Sequence, residues 1–278
     1  MSMNYQKLLY QSIIASVAAG KEIMEVYDTN FEVEYKDDNS PLTLADKKAS
    51  DKIIGELKQF DIPVLSEEGV HDSFEIRKTW SKLWIVDPLD GTKEFVKRNG
   101  EFTVNIALVE DNIPTVGVIF SPVFKDIYFA AKGLGAFKID KKECASLIDV
   151  IEEINLEQLL KIAQKLPIVS NRENYVVVAS RSHMSTDTYQ HIEALKLTHK
   201  HVEIVTTGSS IKMCWVAEGI ADEYPRYGPT MEWDTAAGQA ILQEANAGLI
   251  DMETRLPMKY NREQLLNNWF IAKRNMPS

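Results

Sequence analysis

The stretch Trp84-Ile85-Val86-Asp87-Pro88-Leu89-Asp90-Gly91-Thr92 constrains this chain more than any other. Trp84, Ile85 and Val86 read as the end of a buried strand that delivers two carboxylates three positions apart. Pro88 is expected to end the strand, Gly91 to turn the backbone, and Thr92 to open a helix whose free N–H groups point back toward the aspartates. A helix start attracts anions, so carboxylates facing one need cations between. The stretch therefore reads as a cradle for divalent metal and phosphate together. Taken alone, the same nine residues also fit an Asp-Pro turn with an Asx cap.

The surrounding chain supports a large enzyme-sized core. Its 278 residues are 45% hydrophobic, enough for one big unit or two packed lobes. No apolar run approaches the roughly 18 residues that a membrane span needs. Met1 to Lys21 mixes polar residues into a helical pattern and lacks the sections of a signal peptide, so a cytoplasmic location is expected, with peripheral contact to the inner membrane left open. Cys144 and Cys214 lie far apart and suggest neither a zinc site nor a disulfide framework. A net charge of -10 argues against a nucleic-acid polymer as partner but admits a small phosphorylated substrate.

Along the chain, Ile13, Val17, Gly20, Met24 and Tyr27 mark an amphipathic helix over 4–27. A second helix starts near Thr43 and runs through Ala49, Ile53, Leu57 and Phe60, which puts Asp46 on its inward stripe. A first-turn aspartate is also favoured by the helix dipole alone. A short strand over 62–65 delivers Ser66-Glu67-Glu68-Gly69, close enough for one acid to reach the same cradle. Strands over 102–109, 115–121 and 126–131, joined by turns at Asp111-Asn112 and Lys132 to Gly135, predict an antiparallel meander. Gly133-x-Gly135 lacks the third glycine of a dinucleotide fingerprint. Residues 138–174 are charged and irregular, with one helical piece closed by Pro167, and suggest a lobe junction between 1–140 and 141–278. Beyond it, strand and helix alternate. Strands fall at 175–179, 202–206 and 221–224, helices start at Ser185, Gly208 and Trp233, and strands close the chain near Leu249 and Phe270.

Glu67, Asp87, Asp90 and Asp234 thus stand at element ends. Two unit charges about 4 Å apart repel by roughly 4 kcal/mol at an effective dielectric near 20, so such a cluster opposes folding unless cations bind. Oxygen-only donors favour Mg²⁺ or Mn²⁺ over zinc.

Asp46, Ser66-Glu67-Glu68, Asp87-Pro88-Leu89-Asp90-Gly91-Thr92 and Trp233-Asp234-Thr235-Ala236-Ala237-Gly238 together resemble the inositol monophosphatase superfamily of Mg²⁺-dependent, lithium-sensitive phosphatases. The strings DPLDGTKEFVKRNGEFTVNIAL (87–108), SRSH (180–183), GSSIK (208–212) and YPRYGPTMEWDTAAG (224–238) are similar to its CysQ-type 3′(2′),5′-bisphosphate nucleotidases, in order from about Ser40 to Gly248. The resemblance implies a layered α-β-α-β-α sandwich of the sugar-phosphatase type, an α+β/α/β mixture with a mostly antiparallel N-terminal sheet and a smaller α/β C-terminal lobe. It implies that Glu67, Asp87, the Leu89 carbonyl, Asp90 and Asp234 hold two or three Mg²⁺ ions, with Mn²⁺ able to substitute and Li⁺ inhibitory. Asp46 and Thr92 match the pair that positions and deprotonates the attacking water, with Glu67 counted among the catalytic residues. Gly91, Thr92, Ser180, His183, Gly208, Ser209, Lys212, Arg226 and Asp234 match substrate-contacting positions. The implied substrate is adenosine 3′,5′-bisphosphate, with its sulfate-carrying analogue as a second candidate.

Read without the resemblance, His183, Lys212 and Arg226 are more readily ordinary structural or solvated side chains. An inositol phosphate substrate, or a silent Mg²⁺- or nucleotide-binding regulator, remain the competing readings. Intact Asp46 and Thr92 speak against the regulator, since binding alone needs no water-activating pair. The 138–174 segment has no counterpart in the resemblance.

Overall fold

The computed structural model describes residues 5–35, 41–168, 172–181 and 184–274. Helices α1 (Tyr5–Tyr27) and α2 (Leu44–Leu57) are separated by a small antiparallel pair, β1 (Val33–Tyr35) with β2 (Pro41–Thr43). The apolar stripe of α1 is buried as expected at Ile13, Val17 and Gly20. Thr43 caps α2, its hydroxyl accepting from the Ala45 N–H, and Asp46 completes a capping box by accepting from the Thr43 N–H at 2.7 Å.

Strand β3 (Val64–Ser66) leads through the short α3 (Phe74–Arg77) to β4 (Lys82–Asp90) and α4 (Thr92–Val96). Then come β5 (Thr103–Glu110), β6 (Ile113–Ser121), β7 (Asp126–Ala131) and β8 (Gly135–Ile139), followed by α5 (Lys141–Leu147), α6 (Leu156–Ile162) and the two-residue β9 (Gln164–Lys165). β3 to β9 form a seven-stranded sheet in sequence order, antiparallel except for the β3/β4 pair. The meander expectation therefore holds from β4 onward.

Two sequence expectations change here. Pro88 does not end β4, which continues to Asp90 across a bulge: Asp87 pairs with Asn105 but Asp90 pairs with Thr103. A bulge is where a strand tolerates proline. The extra residue also has a steric result, because positions three apart on a regular strand face opposite sides, whereas here both aspartates reach one cavity. The second change concerns 141–165. Cys144, Leu147, Ile151 and Leu159 pack into the same core as α1, α2 and the first sheet, and β9 pairs with β8. The expected division at 140/141 thus cuts a continuous packing unit, and one near Leu166 suits the packing better.

The remaining chain forms β10 (Tyr175–Ser180), α7 (Thr186–Leu195), β11 (Val202–Thr207), α8 (Ile211–Glu218), β12 (Glu223–Arg226), α9 (Glu232–Glu244), β13 (Ala247–Asp251) and β14 (Phe270–Arg274). Its sheet runs β11-β10-β12-β14-β13, with β10 parallel to β11 and β12 and the other pairs antiparallel. α1 and α2 cover the outer face of the first sheet, α8 and α9 lie between the two sheets, and α7 packs against β12 from the far side. The result is the layered α-β-α-β-α sandwich. α9 can press onto β6 because Gly117 has no side chain: a Cβ there would lie 2.4 Å from the Ala237 carbonyl oxygen. Among the described residues no helix is long and apolar enough to cross a membrane.

Candidate active site

A cavity of about 600 Å³ opens where the end of β4, the start of α4, the α8 turn and the start of α9 converge. Gly91 adopts φ +93°, the left-handed conformation that glycine takes at no steric cost, and so lets β4 turn directly into α4. Glu67, Asp87, Leu89, Asp90, Gly91, Thr92 and Asp234 all line the cavity. Carboxylate oxygens of Asp87, Asp90 and Asp234 lie within 4.8 Å of one another, close enough to share a cation.

The electrostatics of this cluster are adverse without one. Burial, reinforced by the charges of Glu67, Asp90 and Asp234, pushes the Asp87 carboxyl well above the ordinary carboxylate range. Asp87 Oδ1 accepts from the Leu89 N–H at 3.0 Å, but its Oδ2 is buried without a hydrogen-bond partner. Burial and then Asp90 push Asp234 up to about 8, against the Met231 N–H that bonds Oδ2 at 2.8 Å. Burial lifts Asp90 to about 6, and Lys212, the Ser210 N–H at 2.6 Å and Asn105 Nδ2 at 3.4 Å pull the other way. An all-oxygen donor set with an orphaned buried carboxylate oxygen is what a hard divalent cation would satisfy.

Asp46 stands beside this cluster. Its Oδ2 accepts from the Thr43 N–H and hydroxyl, both at 2.7 Å, and its Oδ1 accepts from the Thr92 hydroxyl at 3.3 Å. The same hydroxyl lies 3.2 Å from the Leu89 carbonyl oxygen. Burial raises the Asp46 carboxyl to about 6. The inward aspartate and the threonine at the helix start are thus brought together across 46 residues of sequence.

On the second-lobe side, Ser180, Gly208, Ser209, Lys212 and Arg226 line the same cavity. His183 lies outside the described residues. Gly208 is packed against Glu94 and Glu101, where a Cβ would come 2.8 Å from the Glu101 carbonyl oxygen. Ser209 has φ +45° and a buried hydroxyl without a partner. Lys212 is buried, donates to the Ser209 carbonyl at 2.5 Å and the Thr207 carbonyl at 3.4 Å, and lies over the Tyr224 ring. Burial pulls its ammonium down to about 8, against the pull of Asp90. Lys212 thus serves the α8 turn and Asp90 as well as the cavity. Arg226 donates from Nη2 to the Pro229 carbonyl at 2.9 Å and keeps a buried, unpartnered Nε.

Sequence reasoning missed Asn105, which bonds Asp90 through Nδ2 and accepts from Thr103 at 3.0 Å and Ser210 at 2.8 Å through Oδ1. The available signal was one amide inside an otherwise apolar strand, directly across from Asp87. It also missed the bidentate pair of Arg181 with Glu101, at 2.8 and 2.7 Å, which ties β10 to the first lobe.

Comparison with known proteins gives a consistent answer. The family described as Inositol monophosphatase family matches residues 4–275. The 3′(2′),5′-bisphosphate nucleotidase CysQ of Salmonella typhimurium is 43% identical over 256 residues, covering 91% of this chain and 94% of that protein. The crystal structure of CysQ from Bacteroides thetaiotaomicron superposes with a TM-score of 0.88 at 45% identity, over 98% of this chain and 99% of that one. An inositol monophosphatase from Thermotoga maritima shares the fold at a TM-score of 0.71 and 22% identity, over 95% of this chain and 91% of that one.

Proposed function

Because this chain belongs to the inositol monophosphatase family, we propose that it is a metal-dependent 3′(2′),5′-bisphosphate nucleotidase that hydrolyses adenosine 3′,5′-bisphosphate to AMP and phosphate. The sulfate-carrying analogue is a second substrate by the same chemistry. The observation that carries the reading is the pairing, in one cavity, of the Asp87, Asp90 and Asp234 cluster with Lys212 and the half-satisfied Arg226.

In this reading Glu67, Asp87, the Leu89 carbonyl, Asp90 and Asp234 hold Mg²⁺, with Mn²⁺ as a substitute and Li⁺ as an inhibitor. Bound there, divalent cations neutralise the scissile phosphate and acidify the attacking water. The chain's own part is positional and proton-handling. Thr92 donates its hydroxyl to Asp46, which leaves its oxygen free to accept a proton from water. As the water oxygen bonds to phosphorus and the bond to the ribose oxygen breaks in line, the water proton moves to Thr92 and the threonine proton to Asp46, while the leaving ribose oxygen keeps the bonding pair and takes a proton from solvent to become the hydroxyl of AMP. A carboxyl lifted to about 6 is a stronger base than an ordinary aspartate yet is still ionised at neutral pH. Gly91 and Thr92 bring N–H groups to the phosphate oxygens.

The metals offset only the phosphate being cleaved, so a second phosphate requires its own cations. Arg226, which lines the cavity, is the principal anchor, and Lys212 adds charge behind it. This basic wall favours a bisphosphate over an inositol monophosphate. Phosphate release from adenosine 3′,5′-bisphosphate and from inositol 1-phosphate, measured with Mg²⁺, tests the reading. The bisphosphate should be the better substrate, chelation should abolish turnover and Li⁺ should inhibit it. A preference for inositol 1-phosphate would replace the reading with the sugar-phosphate one, and nucleotide binding without turnover would replace it with a regulator.

A further inference from the structure

Strand β12 carries two sets of side chains to opposite faces. Tyr224 and Arg226 line the cavity, whereas Glu223, on the alternate face, is buried on the side where α7 packs. Glu223 is the hub of a network there: its Oε2 accepts from the Tyr175 hydroxyl at 2.7 Å, its Oε1 meets His191 Nε2, and Lys273 Nζ lies 3.2 Å away. Although burial works the other way, the hydrogen bonds from His191 and Tyr175 and the Lys273 charge hold this carboxyl below its ordinary range. An ionised carboxylate only accepts, so His191 donates from Nε2 and, when neutral, offers Nδ1 as an acceptor. Tyr227, the residue after Arg226, fills that position with its hydroxyl at 2.8 Å.

We propose, resting on the assignment of Arg226 to the second phosphate, that His191 is a positioning residue for substrate recognition: held by Glu223, it fixes Tyr227 and thereby the segment that presents Arg226. The other end of that segment is held independently. Asn267 donates its backbone N–H to the Thr230 carbonyl at 2.8 Å and its Nδ2 to Thr230 Oγ1 at 3.1 Å and to the Met231 carbonyl at 2.7 Å. The Tyr227 ring also meets Trp269 edge-on, with centroids 5.5 Å apart. Between these two anchorages Arg226 closes on Pro229 while it lines the cavity. His191 touches none of the reacting groups and acts only through Tyr227.

Tyr227→Phe removes the hydroxyl and leaves the ring packing in place. Losing one such bond corresponds to a roughly 2- to 10-fold change in an equilibrium constant. KM for adenosine 3′,5′-bisphosphate should rise by that order, with kcat, the Mg²⁺ half-saturation constant and KM for adenosine 3′-monophosphate unchanged. Arg226→Ala, assayed on both substrates, separates the inference from the reading beneath it. If Arg226→Ala weakens the two substrates equally, the second-phosphate assignment falls and the role of His191 falls with it. If Arg226→Ala is selective for the bisphosphate while Tyr227→Phe leaves its KM unchanged, raises KM for both substrates alike or lowers kcat, then the inference about His191 alone is overturned.

Discussion

Asp46 does two jobs with two oxygens. Oδ2 completes the α2 capping box and Oδ1 receives the Thr92 hydroxyl, so the helix-dipole account and the catalytic account of an inward first-turn aspartate are compatible. The division of labour suggests how to separate chemistry from structure. In the proposed mechanism, Asp46→Asn keeps an acceptor for Thr43 but loses the base, and Thr92→Ala breaks the proton path. Either should lower kcat about 10²- to 10⁴-fold with KM nearly unchanged, because general-base help acts only in the transition state. Steady-state kinetics at saturating Mg²⁺ check this, and a KM effect with kcat intact would reassign both residues. At this scale the acids were legible because they sit in a short ordered motif. Asn105 and the Arg181–Glu101 pair were not, because their meaning lies in partners that only the closed fold supplies.

Among elements, the contact of α9 with the first sheet sets where Asp234 points. Gly117 on β6 and the Ala237 backbone approach so closely that a methyl group at Gly117 has no room. Gly117→Ala should destabilise the protein by about 1 to 3 kcal/mol, the usual cost of overpacking. It should also raise the Mg²⁺ half-saturation constant, since the displaced helix carries Asp234. Denaturant unfolding and a metal titration check the two effects, and a stable variant with normal metal affinity would show that α9 is free to adjust. Helices and strands with clear periodicity were readable from sequence nearly to their ends. The bulge in β4 was not, because a proline beside an aspartate looks like a stop unless the partner strand is known. The helical piece over 156–166 was found as α6, though it ends earlier, at Ile162, whereas α5 and β9 were missed, since two turns of a charged helix or a two-residue strand leave too little period to detect.

For the whole molecule, the acidic cluster couples folding to cations. Burial raises the Asp46, Asp90 and Asp234 carboxyls from their ordinary range to about 6, about 6 and about 8. Raised carboxyls favour the fold when protonated: their contribution is complete below the unfolded value and is lost as pH rises through the folded values. The metal-free protein should therefore melt lower near pH 8.5 than near pH 5.5. Added Mg²⁺ competes with fewer protons as pH rises, so the increase in Tm that it produces should grow over the same interval. Calorimetry with and without Mg²⁺ decides the matter, and an Mg²⁺ effect on Tm that ignores pH would mean the cation binds elsewhere. The Ser210 N–H that bonds Asp90 belongs to the turn before α8, and Asp234 belongs to α9, while Asp87 and Asp90 end a strand of the other sheet. The site is consequently a coincidence gate: no contiguous half of the chain owns it, and partial folding, truncation or loosening between the layers leaves an inert acidic surface.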